Sequence, residues 1–159
     1  MSSQEWYTPQ WIVDHMHATL EEWTILDPCS NEKANETVQA HKYYTKEENG
    51  LEQPWDVCKS LFINPPGVQP GLSRAFLIKA RKSKLPTYYV GFSSLQLQWA
   101  APMLDAILFP NRRTKFVAGE GQRVTSPSVY CFLGYIGIPK NFIRLAPHHC
   151  TSFVQQGCY

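Results

Sequence analysis

The chain has 159 residues, 43% of them hydrophobic and 18% charged, which is the composition of an ordinary globular chain and the length of one domain. A formal net charge of +2 argues against a protein that coats nucleic acid through bulk charge, yet leaves room for a local basic face. No apolar stretch approaches the ~20 residues of a membrane span, and the polar start Met1 to Glu5 lacks the basic and apolar regions of a secretory signal.

The cysteines Cys29, Cys58, Cys131, Cys150 and Cys158 are odd in number and form no CxxC pair. This disfavours a disulfide scaffold or a zinc ribbon, and a reducing cytoplasm is the simpler setting. His148-His149-Cys150 followed by Cys158 matches no common zinc spacing, so the segment reads as a polar tail and no metal is expected.

In chain order, Thr8-Pro9 predicts a helix start, with the Thr8 hydroxyl as cap and Pro9 at the first helical position. Ile12, Val13, Met16 and Leu20 recur at helical spacing behind it. Trp23 to Leu26 is a β-prone run that stops at Asp27-Pro28. A second helix is expected over Glu32 to Ala40, capped by Ser30 or Asn31, with Glu32 favourable in its first turn. Tyr43-Tyr44-Thr45 reads as a strand, Asn49-Gly50 as a turn, and Leu61-Phe62-Ile63 as a buried strand that breaks at Asn64-Pro65-Pro66-Gly67. A third helix fits Leu72 to Lys84. Lys79, Arg81, Lys82 and Lys84 crowd its last turns, where the helix dipole favours cations, and are expected on a solvated face. Thr87 to Val90, Ala106 to Phe109 and Val129 to Leu133 read as strands, and Gln96 to Leu104 as a weak helix. This alternation predicts an α/β fold with a mostly parallel sheet.

That architecture places ligands outside the carboxyl ends of the strands, where strand order reverses. Asp27-Pro28-Cys29-Ser30 and Asn64-Pro65-Pro66-Gly67 are both polar turns at strand ends. On adjacent parallel strands they would open onto one edge. Two prolines fix the backbone and remove two N–H donors, so Asn64-Pro65-Pro66 is a cluster of fixed acceptors. Such a cluster suits a group that carries only donors, such as the exocyclic amine of adenine. The Asp27 loop leads into a helix, whose free N–H groups and neighbouring carboxylate can hold a ligand. It lacks the usual glycine-rich fingerprint.

The segments Glu5-Trp6-Tyr7-Thr8-Pro9, Leu26-Asp27-Pro28-Cys29-Ser30-Asn31, Tyr43-Tyr44-Thr45, Asn49-Gly50-Leu51 with Trp55, Phe62 to Gly67, Phe109 to Phe116 and Ser126 to Tyr130 follow one another in this order. In order and spacing the chain resembles the phage-type, Dam-like DNA N6-adenine methyltransferases, from Glu5 to about Phe142. The resemblance implies a Rossmann-like, S-adenosylmethionine-dependent methyltransferase with helices on both faces of a mostly parallel sheet. It implies one methyltransferase domain over residues 1–159, with no separate target-recognition domain. DNA is the implied substrate, in a host cytoplasm if the chain is phage-encoded.

The site residues follow from the same resemblance. Tyr7, Thr8 and Pro9 look like the segment against the methionine part of the cofactor, and Asp27, Pro28, Cys29 and Ser30 like the main cofactor loop. Asn49 stands where the family often has an acidic residue facing the cofactor's adenine or ribose. Asn64, Pro65 and Pro66 look like the catalytic motif, which receives an adenine flipped out of a duplex or taken from a single strand. Gly67 departs from the aromatic residue common at the fourth motif position, so another ring would have to stack on the base; Phe92 and Trp99 are candidates. Arg112, Arg113 and Lys115 are the candidate phosphate contacts.

Short or loose specificity would follow from the missing recognition domain, or specificity borrowed from a partner chain, as a homodimer or with a helper protein. Two competing readings remain: a fold that binds cofactor or nucleic acid without turnover, motivated by Gly67, and a methyltransferase acting on RNA or a nucleotide, motivated by the modest charge.

Overall fold

A computed structural model describes residues 6–21, 23–66, 70–118 and 128–155. In chain order its elements are β1 (Trp6–Tyr7), α1 (Gln10–Leu20), β2 (Ile25–Asp27), α2 (Glu32–Val38), β3 (Lys42–Tyr43), β4 (Ser60–Ile63), α3 (Pro70–Ser83), β5 (Thr87–Phe92) and α4 (Ser93–Ala100). A 3₁₀ turn over Ala101–Met103 follows, then β6 (Ala106–Pro110), β7 (Thr114–Lys115), β8 (Val117–Ala118), β9 (Ser128–Val129), β10 (Cys131–Ile136), α5 (Lys140–Arg144) and β11 (Cys150–Val154).

The first helix buries Ile12, Val13, Met16 and Leu20, as their spacing predicts. Its start differs from expectation. Pro9 is the N-cap, in extended conformation and not at the first helical position, and no side chain caps the helix. The Thr8 hydroxyl is engaged elsewhere, by Asn64. In α2 the cap is Asn31, whose Oδ1 accepts from the Ala34 N–H at 2.8 Å. The helix ends before Ala40 because Gln39 takes a left-handed conformation (φ 52°).

Seven strands form one sheet in the order β11-β6-β10-β5-β4-β2-β3. The β2–β3, β2–β4 and β4–β5 pairings are parallel, whereas β10 runs antiparallel to both β5 and β6, and β11 antiparallel to β6. The expected mostly parallel sheet is therefore parallel at one end only. An apolar run such as Val129 to Leu133 reports burial, not direction, and a strand inserted between two parallel neighbours can run back against both without a crossover helix.

Successive residues on the central strands serve opposite faces, as the pleat requires. Ile25, Phe62, Tyr88 and Leu133 pack with Ile12 and Met16 of α1, Val38 of α2 and Phe142 of α5. Leu26, Leu61, Tyr89 and Phe132 pack with Phe76 and Leu77 of α3 and Ala100 of α4. Helices thus cover both faces. Among the described residues no helix is long and apolar enough to cross a membrane.

The chain leaves β2 for β3 on one side and returns to β4 on the other. Strand order reverses there, and the loops after β2 and β4 lie side by side at the carboxyl edge of the sheet, as the sequence predicts.

Candidate active site at the strand-order reversal

The second strand delivers Asp27 to this edge with only 3% of its surface exposed. Burial pushes its carboxyl up to about 7, against the opposing pull of the Cys29 backbone N–H and the Ser30 and Cys29 side chains. The Cys29 N–H donates to Asp27 Oδ1 at 3.2 Å. Ser30 turns its hydroxyl toward the same carboxylate without reaching hydrogen-bond geometry, so its buried oxygen has no partner. The loop is fixed from β3: Tyr44 N–H donates to the Asp27 carbonyl at 3.0 Å and Ser30 N–H to the Tyr44 carbonyl at 2.9 Å. A buried carboxyl that is only part-ionised at neutral pH, beside an unsatisfied hydroxyl, is suited to a ligand bringing hydrogen-bond donors.

The neighbouring strand β4 delivers Asn64 half-buried, Pro65 buried and Pro66 exposed. Asn64 Nδ2 donates to Thr8 Oγ1 at 2.8 Å, and the Asn64 backbone N–H reaches the Cys29 thiol, opposing the rise that burial imposes on it. The cofactor-loop and catalytic-motif candidates are therefore near neighbours. With Nδ2 committed to Thr8, Oδ1 remains as an acceptor beside the donor-free Pro65 and Pro66. Gly67 lies outside the described residues.

A third piece comes from the Asn49-Gly50 turn. Asn49 takes a left-handed φ of 51°, which asparagine tolerates better than most residues. Gly50 packs against the Pro28 main chain, and its carbonyl accepts from Trp55 Nε1 at 2.8 Å. Across this loop lies Lys79, whose Nζ donates to the carbonyls of Leu51 (2.8 Å) and Gln53 (2.6 Å) and sits 4.6 Å from the Trp55 ring centre. Lys79 is thus not part of a solvated basic face. Arg81 also has a partner, bonding Asp105 at 2.8 Å. The expectation of a solvated face failed for Lys79 because its partners are distant in the chain, whereas Arg81, Lys82 and Lys84 are exposed as expected.

The N-terminal segment closes the other side. Tyr7 pairs with Val117 across the β1–β8 ladder and, with Ser30, Asn31, Glu36 and Lys46, lines an open polar cleft of about 510 Å³. Thr8 faces Asn64 and Pro9 caps α1. The structure therefore brings Tyr7, Thr8, Asp27, Pro28, Cys29, Ser30 and Asn64 together. Asn49 stands one residue from the contact with Pro28.

Arg112, Arg113 and Lys115 are exposed. Arg113 stacks 5.2 Å from the ring centre of Tyr130, itself 65% exposed. The β7–β9 pairing sets Lys115 opposite Ser128; Ser126 and Pro127 lie outside the described residues. Of the candidate stacking rings, Phe92 packs 4.9 Å from Phe116 and Trp99 is half-buried against the core on the α3 and α4 face.

The segment expected as a polar tail is instead partly sheet. Cys150 opens β11 opposite Pro110, and the His149 carbonyl accepts from the Asn111 N–H at 2.7 Å. An edge strand of alternating Thr151, Ser152 and Phe153 carries too little apolar pattern to announce itself. Cys158 lies outside the described residues. Among the described residues no three His, Cys, Asp or Glu side chains gather as a metal site.

Sequence reasoning also passed over His15. It is buried between the Tyr88 hydroxyl (2.8 Å to Nδ1) and the Phe142 carbonyl (3.0 Å from Nε2), and burial lowers its pKa. The carbonyl can only accept, so Nε2 carries the proton and the hydroxyl donates to Nδ1. The signal was present: His15 and Thr19 share the apolar face of α1.

An α/β sheet with two polar loops on adjacent parallel strands at an order reversal is the arrangement of a ligand-binding enzyme edge. A family model described as DNA N-6-adenine-methyltransferase (Dam) matches residues 2–136. The chain belongs to that family and is a DNA adenine-N6 methyltransferase. No curated protein and no solved structure matches it.

Proposed function

We propose that the chain is a Rossmann-like, single-domain methyltransferase that takes its methyl group from S-adenosylmethionine, with Asp27 to Ser30 as cofactor loop and Asn64-Pro65-Pro66 as catalytic motif. The observation that carries this reading is the proximity of the two loops: Asp27 ends β2, Asn64 directly follows the neighbouring parallel strand β4, and Cys29 donates its N–H to Asp27 while its thiol lies near the Asn64 backbone N–H.

The residues fit the cofactor. Its ammonium and hydroxyl groups are donors, and Asp27 and the unpartnered Ser30 oxygen call for donors. Tyr7 and Pro9 close one side and Asn49 another. When bound, S-adenosylmethionine supplies a methyl group on a sulfonium sulfur. Asn64 Oδ1 and the Pro65 carbonyl accept the two hydrogens of the target amine. This aligns the amine and enriches its nitrogen, which otherwise gives its lone pair to the ring. Such preorganised acceptors are worth about 3 kcal/mol each in favourable sites. The amine nitrogen would take the methyl group in line, the carbon–sulfur bond breaking to leave a neutral thioether as the carbon–nitrogen bond forms, and the surplus amine proton would pass to solvent. The base reaches the motif only outside the stack. Trp99 or Phe92 stacks on it in place of the ring that Gly67 lacks, and Arg112, Arg113 and Lys115 hold phosphates. On the resemblance alone, the chain is phage-encoded and works in a host cytoplasm.

Methyl transfer from labelled S-adenosylmethionine to unmethylated DNA, with nucleosides analysed by mass, tests the reading. N6-methyladenine formed by the native chain and lost in Asn64→Ala supports it. Cofactor binding without product on DNA, and product on RNA or nucleotide instead, would overturn the substrate; no product anywhere would leave a binding protein.

A further inference from the structure

We infer that Thr8 is a positioning residue for Asn64, acting on the target base through the Asn64 carboxamide and not through the cofactor. The inference rests on the reading of Asn64 as the acceptor of the target amine. It follows from the geometry around one side chain. Thr8 lies between an extended β1 and the Pro9 cap, is 5% exposed, and its Oγ1 receives Asn64 Nδ2 at 2.8 Å. The hydroxyl does not cap α1, although it stands beside the helix start.

An asparagine carboxamide has nearly the same shape after a half turn, but opposite hydrogen-bonding character at its two ends. Facing an amine, only the oxygen end is productive; the NH₂ end would set donor against donor. Asn64 is half-buried and its backbone is fixed by the Ile63 strand end and by Pro65, so the plane of the amide is the remaining freedom. By accepting from Nδ2, Thr8 takes the NH₂ end out of the site and leaves Oδ1 for the base. It also joins the N-terminal segment to the catalytic loop across 56 residues of sequence.

Three variants test this. Thr8→Val keeps shape and removes the oxygen, and Thr8→Ser keeps the oxygen. The expected result for Thr8→Val is a fall in kcat of about 10- to 100-fold, with the dissociation constant for S-adenosylmethionine within about twofold of the native value. Thr8→Ser should recover most of the rate. If the valine chain does not fold, Thr8→Ala supplies the same comparison against serine. Turnover unchanged in valine or alanine would overturn the inference. So would a loss of cofactor affinity parallel to the loss of rate, which would return Thr8 to the cofactor site, or a serine variant as slow as valine. Failure of the underlying reading looks different: Asn64→Ala itself would then retain turnover.

Discussion

A Cβ placed on Gly50 would stand 1.8 Å from the carbonyl oxygen of Pro28. The Asn49-Gly50 turn and the Asp27 loop are therefore packed main chain against main chain, with no room for any side chain. Gly50→Ala should force the two loops apart, costing about 1–3 kcal/mol of stability and weakening cofactor affinity as Asp27 to Ser30 move. Gly71→Ala is the control: nothing lies within 4 Å of its added methyl group, so stability should hold. Thermal denaturation of both chains, with cofactor titration, checks the pair. Equal behaviour would mean that the loop contact does not shape the site.

Asp27 couples stability to binding with opposite signs. Burial raises its carboxyl to about 7 from the ordinary value near 4. Between those values the folded chain binds more protons than the unfolded one. Stability from this group is therefore complete below about pH 4 and is lost as pH rises through about 7. Asp27→Asn should accordingly raise stability above pH 7, by roughly 1–3 kcal/mol, and lose that advantage toward pH 4. The same variant should bind S-adenosylmethionine at least tenfold more weakly, because a donor-bearing ligand favours the ionised form. Native affinity should in turn rise with pH through about 7. A variant that is both more stable and equally able to bind the cofactor would remove Asp27 from the site.

How far the sequence foretold this depends on the range of the interactions. Ile12, Val13, Met16 and Leu20 announce α1 because helical periodicity is local, and Asp27-Pro28 and Asn64-Pro65 announce loop starts because proline restricts its own neighbourhood. That those loops share one edge is conditional on adjacent parallel strands, a non-local pairing that the β2–β4 ladder supplies. The two-residue strands β1, β7, β8 and β9 are too short to carry a period. The direction of β10 and the existence of β11 are set by distant partners, β5 and β6. Thr8 illustrates the limit best: its local neighbourhood predicts a cap, and a residue 56 positions away takes its hydroxyl instead.

Lys79 carries a prediction of the same non-local kind. Its Nζ donates to two main-chain carbonyls and lies over Trp55, and burial lowers its pKa. Lys79→Met retains the aliphatic stem and removes the cation. It should cost about 1–3 kcal/mol and expose the segment around Leu51 to Gln53 to proteolysis. Lys82→Met, on an exposed position of the same helix, should leave both unchanged. Limited proteolysis beside a melting curve separates local loosening from global loss; a Lys79→Met chain that melts and digests like the native one would show that the carbonyl pair is held by other contacts.

Arg112, Arg113 and Lys115 are exposed cations on the segment that leads through the β1–β8 ladder to Tyr7, next to Thr8 and Asn64. A phosphate contact releases counterions, so each one contributes about −0.9 to the slope of log affinity against log salt on duplex DNA and about −0.7 on single strands. Replacing any of the three by alanine should reduce the slope by that amount if its side chain meets a phosphate. Arg113 has a second partner, the exposed ring of Tyr130. Tyr130→Ala should therefore lower affinity without changing the slope, since the ring carries no charge, whereas Arg113→Ala should change both. Binding isotherms at several salt concentrations, on duplex and on single-stranded DNA, give the slopes directly. Three alanine variants with the native slope would mean that DNA approaches the Asn64 loop from another side.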